Sequence, residues 1–371
     1  MIKVLIAYIV ISMSILKADD VDFFGHFGTQ GTVVLNDSSK NYIGASAAFG
    51  IDSSFDNGIM IGIGGWASIP VYEYLKKNTS NIYRDIFVLS NFYFSYFTNS
   101  FQLIIGRYYV NNLGYEWLSG HNEGLSIEYV IDNFMKIWGF YSYRQSFQFI
   151  KNNRELYGQI NSLWDFRRHK TYDIHNSHLI ALGLDFYYDD ILLLGPYLYY
   201  ATNDLIAYGI NANLFLGNDK QFYSNTSIKY VAVNEPIKKM GHLILLDQEL
   251  GFDWFNIGGG YYKTIDNGAG RLTKFGDNSR FYGGVIFADA TNMAIGPYFM
   301  ADQETWYIFT GTNNDLININ LLYSGGSYKE LSAMLSLTVL KHLEIGAGYI
   351  NLNGFNENRR DAITGFIKTK R

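Results

Sequence analysis

The chain contains no cysteine, only four prolines and few charged residues, and each shortage excludes a class of protein. Without cysteine there can be no disulfide scaffold and no thiolate metal centre. Charged residues make up 17% of the 371 positions, whereas 48% are apolar and 17% are aromatic, which is not the composition of a disordered chain. The net charge of -5 offers no electrostatic footprint for nucleic acid, so we expect no nucleic-acid partner.

Long hydrophobic runs are also missing. A membrane-spanning helix needs about 18 predominantly apolar residues. The longest uncharged stretch, residues 86–106, is interrupted by several polar side chains. The mean hydropathy of -0.04 likewise disfavours a helical membrane protein.

The first 18 residues have the pattern of a secretory signal peptide. Lys3 precedes an uncharged segment at 4–16, and Ala18 is a suitable last residue before cleavage. An N-terminal membrane anchor is the alternative, although the apolar segment is short for a bilayer. We therefore predict a signal peptide at 1–18 and a single domain at 19–371.

The sequence is rich in short segments in which every second residue is apolar. Near residue 180, Ile180, Leu182 and Leu184 share one face, while Ala181 and Gly183 share the other. This period-two alternation is typical of β-strands. About twenty such segments are predicted, near 22–35, 40–51, 57–67, 84–97, 100–109, 123–132, 134–145, 177–188, 192–200, 206–214, 222–230, 242–252, 254–264, 280–289, 293–301, 304–311, 315–324, 329–338, 342–351 and 360–369.

The alternation favours a transmembrane barrel over a soluble sandwich. The apolar face ends in Tyr188, Tyr200, Tyr230 or Trp254 at several strand ends, as the aromatic girdles of an outer-membrane barrel require. The opposite face carries Gly, Ser, Asn and charge, which suits a wet lumen, and only a closed sheet pairs every backbone group in lipid. We predict an all-β, transmembrane antiparallel β-barrel of about 16 to 20 strands, closed by pairing the last predicted strand with the first.

Two neighbouring segments resemble the OprD-like outer-membrane porins. One strand ends in Gly106-Arg107, and the next begins with Glu123-Gly124; Tyr108 stands where that family has Gln. The resemblance implies an eighteen-stranded, monomeric barrel in the outer membrane of a Gram-negative bacterium. It also implies that the third and seventh external loops fold inward, and that basic residues guide a small solute carrying a carboxylate.

Parity along the strands places a set of charged side chains on the lumen side. A charge that faces lipid at the bilayer midplane costs roughly 2–4 kcal/mol, so these side chains are expected to face water. The pore-lining residues predicted in this way are Glu128, Asp132, Asp185, Lys229, Asp247, Glu249 and Glu344, and the resemblance adds Arg107 and Glu123. Any one of them could instead pair with a neighbour on the wall. Arg107 shares parity with the lipid-facing Ile105, so either the strand contains a bulge or Arg107 lies above the lipid band.

Two long connections are expected to narrow the pore. The loop 108–121 carries Glu116 and Trp117, and burial of an aromatic side chain is worth roughly 1.5–3 kcal/mol, which favours a loop bent into the lumen. The segment 265–279 is rich in glycine and carries Arg271 and Lys274, which suits a flexible second lip of the constriction.

A third connection, 146–176, is unusually basic and follows Arg144, another candidate for the pore. Its cations could attract anionic solutes or lipopolysaccharide phosphates. The alternative is an ordinary solvated external loop.

Nothing in the sequence predicts a cofactor, a metal site or an enzyme. The segment 62–67 fits a G-x-G-x-x-A pattern but lacks the helix that a dinucleotide site needs. We therefore expect an outer-membrane porin for passive, partly selective diffusion of small organic anions or zwitterions, such as amino acids or carboxylates. The alternative is a plugged barrel that acts as a surface adhesin or structural protein. The expected partners are outer-membrane lipid, lipopolysaccharide, small solutes and the barrel assembly machinery.

Overall fold

The computed structural model describes residues 18–35, 41–73, 86–110, 113–146, 167–170, 176–218, 221–276, 279–282, 297–312, 314, 316–340, 342–353 and 360–369. Residues 1–17 of the predicted signal peptide lie outside this part of the chain. So does most of the basic loop 146–176, of which two short paired strands, Arg167–Lys170 and Asn176–Ser177, are described.

The described chain forms a barrel of eighteen antiparallel strands, the number that the resemblance implied. The strands are β1 Asp20–Val34, β2 Tyr42–Ser54, β3 Ile59–Glu73, β4 Ile86–Phe97, β5 Phe101–Tyr109, β6 His121–Val130, β7 Met135–Ser146, β8 Leu179–Tyr188, β9 Leu192–Ala201, β10 Leu205–Gly217, β11 Phe222–Asn234, β12 Gly241–Phe252, β13 Phe255–Ile265, β14 Glu304–Thr312, β15 Ile317–Gly326, β16 Glu330–Leu340, β17 Leu343–Leu352 and β18 Arg360–Thr369.

Each strand pairs with the next one along the chain, and the last pairs with the first. β1 and β18 are in register from Gly28 opposite Lys368 to Val34 opposite Ala362. The predicted closure is therefore confirmed. A closed sheet has no edge, so every strand can pair its backbone groups without water, as a bilayer requires.

Alternation separates the two faces of the wall. On β8, Ile180 and Leu182 are exposed on the outside, whereas Ala181 and Gly183 are buried on the inside. The aromatic residues predicted for the girdles lie on the outer face near the strand ends, and all four are exposed: Tyr188, Tyr200, Tyr230 and Trp254. The outer surface is thus apolar with aromatic borders, as lipid contact demands.

Short turns lie at one end of the barrel, together with the start of β1 and the end of β18. Examples are 98–100, 131–134 and 189–191. This is the end assigned to the periplasm. The opposite, external end carries most of the longer connections. Four of its loops are used below: L3 (110–120), the short L5 (202–204), L6 (235–240) and L7 (266–303).

Two predicted strands are not observed where the chain is described. The described parts of 280–289 and 293–301 contain bends and a turn instead of strand, and the remainder lies outside the described residues. Both belong to L7, and Phe281, Tyr298 and Phe299 are buried inside the barrel. These three aromatic side chains pack against one another and the inner wall. Among the described residues, no helix combines the length and apolarity that a membrane crossing requires.

Candidate functional site

L3 folds into the barrel and packs against the inner wall. The Tyr115 ring stacks on Trp138, with ring centroids 4.3 Å apart. The Trp117 indole Nε1 donates a hydrogen bond of 2.9 Å to the Tyr197 hydroxyl. The Tyr199 hydroxyl donates to the Glu116 backbone oxygen. The inward bend predicted for this loop is confirmed, and it places the Glu116 carboxylate inside the lumen.

L7 also enters the barrel and packs on L3. The Ser119 amide donates to the Phe275 carbonyl oxygen at 3.1 Å, and the Gln145 side-chain amide donates to the same oxygen at 2.7 Å. Gly276 lies so close to L3 that an added Cβ would stand 2.5 Å from the Ser119 nitrogen. The two loops therefore form one packed unit, as the resemblance to inward-folded third and seventh loops implied.

The interior of L7 is an aromatic cluster centred on Phe281. The Phe281 ring makes contacts with Tyr298, Tyr307 and Tyr328, with centroid distances of 5.0, 5.3 and 5.1 Å. Beside it, the buried Glu330 carboxylate accepts hydrogen bonds from the Tyr328 hydroxyl and from the Tyr282 amide. Tilted and edge-to-face aromatic pairs, together with a hydrogen-bonded carboxylate, fix this part of L7 to the wall.

The expectation that Arg271 and Lys274 form a flexible, charged second lip needs correction. They lie on a short 3-10 helix, Gly270–Lys274, whose residues are largely buried. Both cations bind the carboxylate of Asp204 on L5, and Arg271 Nε lies 3.5 Å from Glu235 Oε2 on L6. The two cations are neutralised by these buried ion pairs, which connect L5, L6 and L7. They therefore do not face the pore.

A cavity of about 450 Å³ lies between L3, L7 and the wall formed by β10, β11, β12 and β14. Its charged lining consists of Glu116, Lys229, Asp247, Glu249 and Arg280. The Lys229 ammonium donates to Glu116 Oε1 at 2.6 Å, which links the wall to L3. A neighbouring cavity of about 320 Å³ shares Asn225 and Glu249 with the first. Of the predicted pore residues, Glu116, Trp117, Lys229, Asp247 and Glu249 are brought together here.

Arg280 is the cavity residue that sequence reasoning missed. Its guanidinium donates to both carboxylate oxygens of Asp247, at 2.7 and 2.6 Å, and to Glu249 Oε2 at 2.8 Å. The Arg280 Cζ atom also lies 3.6 Å from the centre of the Phe309 ring. In the sequence, Arg280 is a single cation in the segment 280–289, which is predicted as a strand. That position does not show whether the side chain belongs to a wall strand or to a loop inside the lumen.

A second charged group lies lower on the inner wall. The Lys136 ammonium is 3.1 Å from Asp185 Oδ2 and 3.8 Å from Glu128 Oε2. Glu344 also turns inward, but its carboxylate pairs with Lys368 at 3.2 Å and both side chains are almost inaccessible. Glu128 and Asp185 thus face the lumen, whereas Glu344 is part of the wall.

Three predicted pore residues lie on the outer face of the barrel instead. Arg107 and Glu123 are register partners on β5 and β6, and the Arg107 Nε donates to Glu123 Oε2 at 3.0 Å. Arg144 Nη1 lies 3.6 Å from the same carboxylate oxygen. A bulge between Glu123 and Gly124 in the β6–β7 pairing brings Arg144 to this side. We call Arg107, Glu123 and Arg144 the outer cluster. Its position matches the alternative in which Arg107 lies above the lipid band.

Asp132 is also placed away from the lumen. It lies in the exposed turn between β6 and β7, where its Oδ1 accepts hydrogen bonds from the Phe134 and Met135 amides at 2.8 and 2.9 Å. Asp commonly stabilises turns in this way, so the carboxylate is part of the turn. Within the described residues no group of three or more His, Cys, Asp or Glu side chains is arranged to hold a metal ion.

Comparison with known proteins agrees with this architecture. A family model described as "Putative outer membrane protein" matches residues 3–336. The chain belongs to this family of outer-membrane proteins. It is therefore a protein of the Gram-negative outer membrane, as expected. A comparison with curated protein sequences finds no match.

Solved structures show the same fold. Pseudomonas aeruginosa OpdK has a TM-score of 0.72 at 10% identity, over 95% of this chain and 99% of that one. Acinetobacter baumannii OccAB1 has a TM-score of 0.70 at 9% identity, over 95% and 96%. OpdK was also solved with vanillate, with a TM-score of 0.69 at 10% identity, over 95% and 99%. These matches confirm the fold that the resemblance to OprD-like porins implied.

Proposed function

We propose that this barrel is a porin through which small polar solutes diffuse passively across the outer membrane. The observation that supports this function best is the charged cavity between L3, L7 and the wall. Its volume of about 450 Å³ lies within the range of small-molecule sites, and its charges are fixed by hydrogen bonds. The proposal is passive diffusion and does not include an enzymatic activity.

We further propose that the preferred solutes are zwitterions such as amino acids. Three carboxylates, Glu116, Asp247 and Glu249, share the cavity with two cations, Lys229 and Arg280. Both signs are available to a zwitterion, whereas the excess of carboxylates opposes a simple organic anion. The four other cations predicted for the pore lie outside the cavity: Arg271, Lys274, Arg107 and Arg144.

Liposome swelling tests this preference. Proteoliposomes should swell faster in an isosmotic amino acid than in a monocarboxylate salt of similar size. Equal rates would show that the cavity charges do not select the solute, and a faster rate for the monocarboxylate would reverse the proposal.

The packing of L3 and L7 favours one alternative, a plugged barrel that serves as a surface adhesin or structural protein. The aromatic cluster around Phe281 and the anchored Trp117 occupy part of the lumen. A plugged barrel would give no swelling with any small solute, although its folding would be intact. The same liposome experiment therefore separates the two functions.

The outer cluster supports a lipid partner. Arg107, Glu123 and Arg144 have side-chain exposures of 23, 18 and 34%, carry a net positive charge and face outward near the external ends of their strands. Because charge on the lipid face is tolerated near the interface, we propose that the two arginines contact lipopolysaccharide phosphates. The Arg107→Gln/Arg144→Gln variant should bind phosphorylated lipid A more weakly than Lys136→Gln/Lys229→Gln, which removes the same charge from the lumen. Equal binding by the two variants would exclude the outer cluster as a phosphate site.

We also propose that the barrel assembly machinery inserts this chain into the outer membrane and that the chain functions there as a monomer. A chain closed by its own first and last strands needs no second copy to pair its edges.

A further inference from the structure

Arg280 is bound in the way that a protein binds a separate guanidinium ligand. Two of its nitrogens form a fork on Asp247, and one of them also reaches Glu249. The ring of Phe309 covers the guanidinium plane at 3.6 Å. Paired N–H donors on a carboxylate with an aromatic ring on the face are the usual features of guanidinium recognition.

The receptor groups all belong to the rigid wall, whereas the guanidinium comes from a loop. Asp247 and Glu249 are neighbours on the inner face of β12, and Phe309 lies on β14. The Tyr307 hydroxyl donates to Asp247 Oδ2 at 2.7 Å, and the Tyr223 hydroxyl donates to Glu249 Oε1 at 2.6 Å. These hydrogen bonds orient both carboxylates independently of Arg280, so the wall site is preformed.

The surroundings of the site also favour a hydrogen-bond donor with positive charge. Within the described residues, the buried oxygens Asn211 Oδ1, Ser227 Oγ and Asn256 Oδ1 have no hydrogen-bond partner. They lie along the two neighbouring cavities that share Glu249. Buried acceptors without a donor are uncommon in proteins, and a donor-rich solute would satisfy them.

We propose that Arg280 is a built-in occupant of a wall site for guanidinium or alkylammonium groups, and that cationic groups of passing solutes compete with it. This inference rests on the proposed porin function and names the part of the zwitterion that the wall recognises. The exchange is one of hydrogen bonds: the solute takes the fork on Asp247 and the contact with Glu249, and Arg280 moves from the wall. No covalent step is involved.

The test compares two variants that remove one lumen cation each. Arg280→Gln empties the wall site, whereas Lys229→Gln removes a cavity cation that binds Glu116 of L3 instead. Binding of agmatine, which has a guanidinium at one end and an ammonium at the other, is measured by calorimetry on the folded proteins in detergent. Glutarate, a dianion of similar length, serves as the control ligand.

Agmatine should bind Arg280→Gln about tenfold or more tightly than it binds the wild type or Lys229→Gln. Glutarate should bind neither variant more tightly than it binds the wild type. Equal agmatine affinity for the two variants would overturn the inference, because charge alone would then explain binding. If Arg280→Gln does not fold, Arg280→Lys is used. It keeps the charge but lacks the planar fork, and it should still bind agmatine more tightly than the wild type does; unchanged affinity would also overturn the inference.

The binding experiment and the liposome experiment can fail separately. Binding without swelling of liposomes would contradict the porin proposal and keep the wall site. Swelling without stronger agmatine binding by the emptied site would keep the porin and reject the role of Arg280.

Discussion

The Trp117 indole of L3 donates a 2.9 Å hydrogen bond to the Tyr197 hydroxyl of β9, and the two residues are 80 positions apart in sequence. Trp117 is also in edge-to-face contact with Phe299 of L7, at a centroid distance of 5.9 Å. One side chain thus joins the wall and both inward loops. We therefore expect the width of the cavity to depend on this anchor.

Replacing Trp117 should therefore release L3. Trp117→Ala removes packing worth about 3–5 kcal/mol, whereas Trp117→Phe loses a hydrogen bond worth about 1 kcal/mol and keeps most of the ring contact. Single-channel recordings should show a larger, noisier conductance for the alanine variant and a nearly normal one for the phenylalanine variant. Trp254→Ala, which changes a lipid-facing aromatic residue, is the control. Identical traces for Trp117→Ala and Trp254→Ala would contradict the anchoring role.

The contact between L3 and L7 can be tested at Gly276. A Cβ at this position would stand 2.5 Å from the Ser119 nitrogen and 2.6 Å from the Leu118 carbonyl carbon, and both atoms belong to backbone. We expect Gly276→Ala to push the two loops apart and to lower the temperature at which heated samples lose their folded gel mobility. Gly365→Ala is the matched control, since the nearest neighbour of a Cβ there would be the Gly346 carbonyl oxygen, 3.7 Å away. A normal transition temperature for Gly276→Ala would show that the loops yield without cost.

Asp204 should be the most sensitive residue of the loop network. Its carboxylate binds both Arg271 and Lys274, and all three side chains are largely buried. Removing one member of a buried ionic group leaves uncompensated charge and costs about 3–5 kcal/mol. Asp204→Asn should therefore expose L7 to trypsin, which cleaves after Arg271 and Lys274. Asp253→Asn makes the same charge change in an exposed turn, and equal resistance of the two variants to trypsin would refute this role of Asp204.

We expect Lys274 to make the stability of L7 depend on pH. Burial lowers the pKa of Lys274 from 10.5 to about 8, against the opposing influence of Asp204. Between these two values the unfolded chain binds more protons than the folded one, so the Lys274 contribution to the free energy of unfolding rises with pH. Urea unfolding in detergent should show this rise in the wild type relative to Lys274→Met. Parallel pH profiles for the two proteins would contradict it.

The lower charged group should affect ion selectivity. Lys136 is the cation that lies between Glu128 and Asp185 on the inner wall. Lys136→Met leaves the two carboxylates without it, so the reversal potential in a salt gradient should shift toward cation preference. Lys263→Met removes an exposed cation paired with Glu304 and is the control. An equal shift in both variants would show that the effect is one of overall charge.

Most strands could be predicted from the sequence because one face of each meets lipid. On β8 and β9 the exposed residues Ile180, Leu182 and Leu198 alternate with buried or small residues, which is the period-two signal itself. Apolar residues mispredict strands in L7, because Phe281 and Tyr298 there pack against each other inside the lumen and do not meet lipid. Alternation reports a buried face but does not identify what buries it.

The candidate site was only partly predictable because parity and loop contacts are decided by the folded barrel. The bulge beside Gly124 turns the Arg144 side chain outward, and no local sequence pattern predicts this bulge. Arg280 meets Asp247 and Glu249, which lie 33 and 31 positions away, only because L7 returns into the lumen. Lys229 and Asp247, by contrast, lie within regular strands and face inward as parity predicted.

Single-channel recording of the purified protein in planar bilayers shows directly whether the barrel conducts. A porin with a fixed charged constriction should give discrete, reproducible conductance steps, and a salt gradient should show a cation preference that becomes stronger in Arg280→Gln. Absence of discrete steps in a preparation whose folded gel mobility is intact would contradict the account, because the barrel would then be plugged.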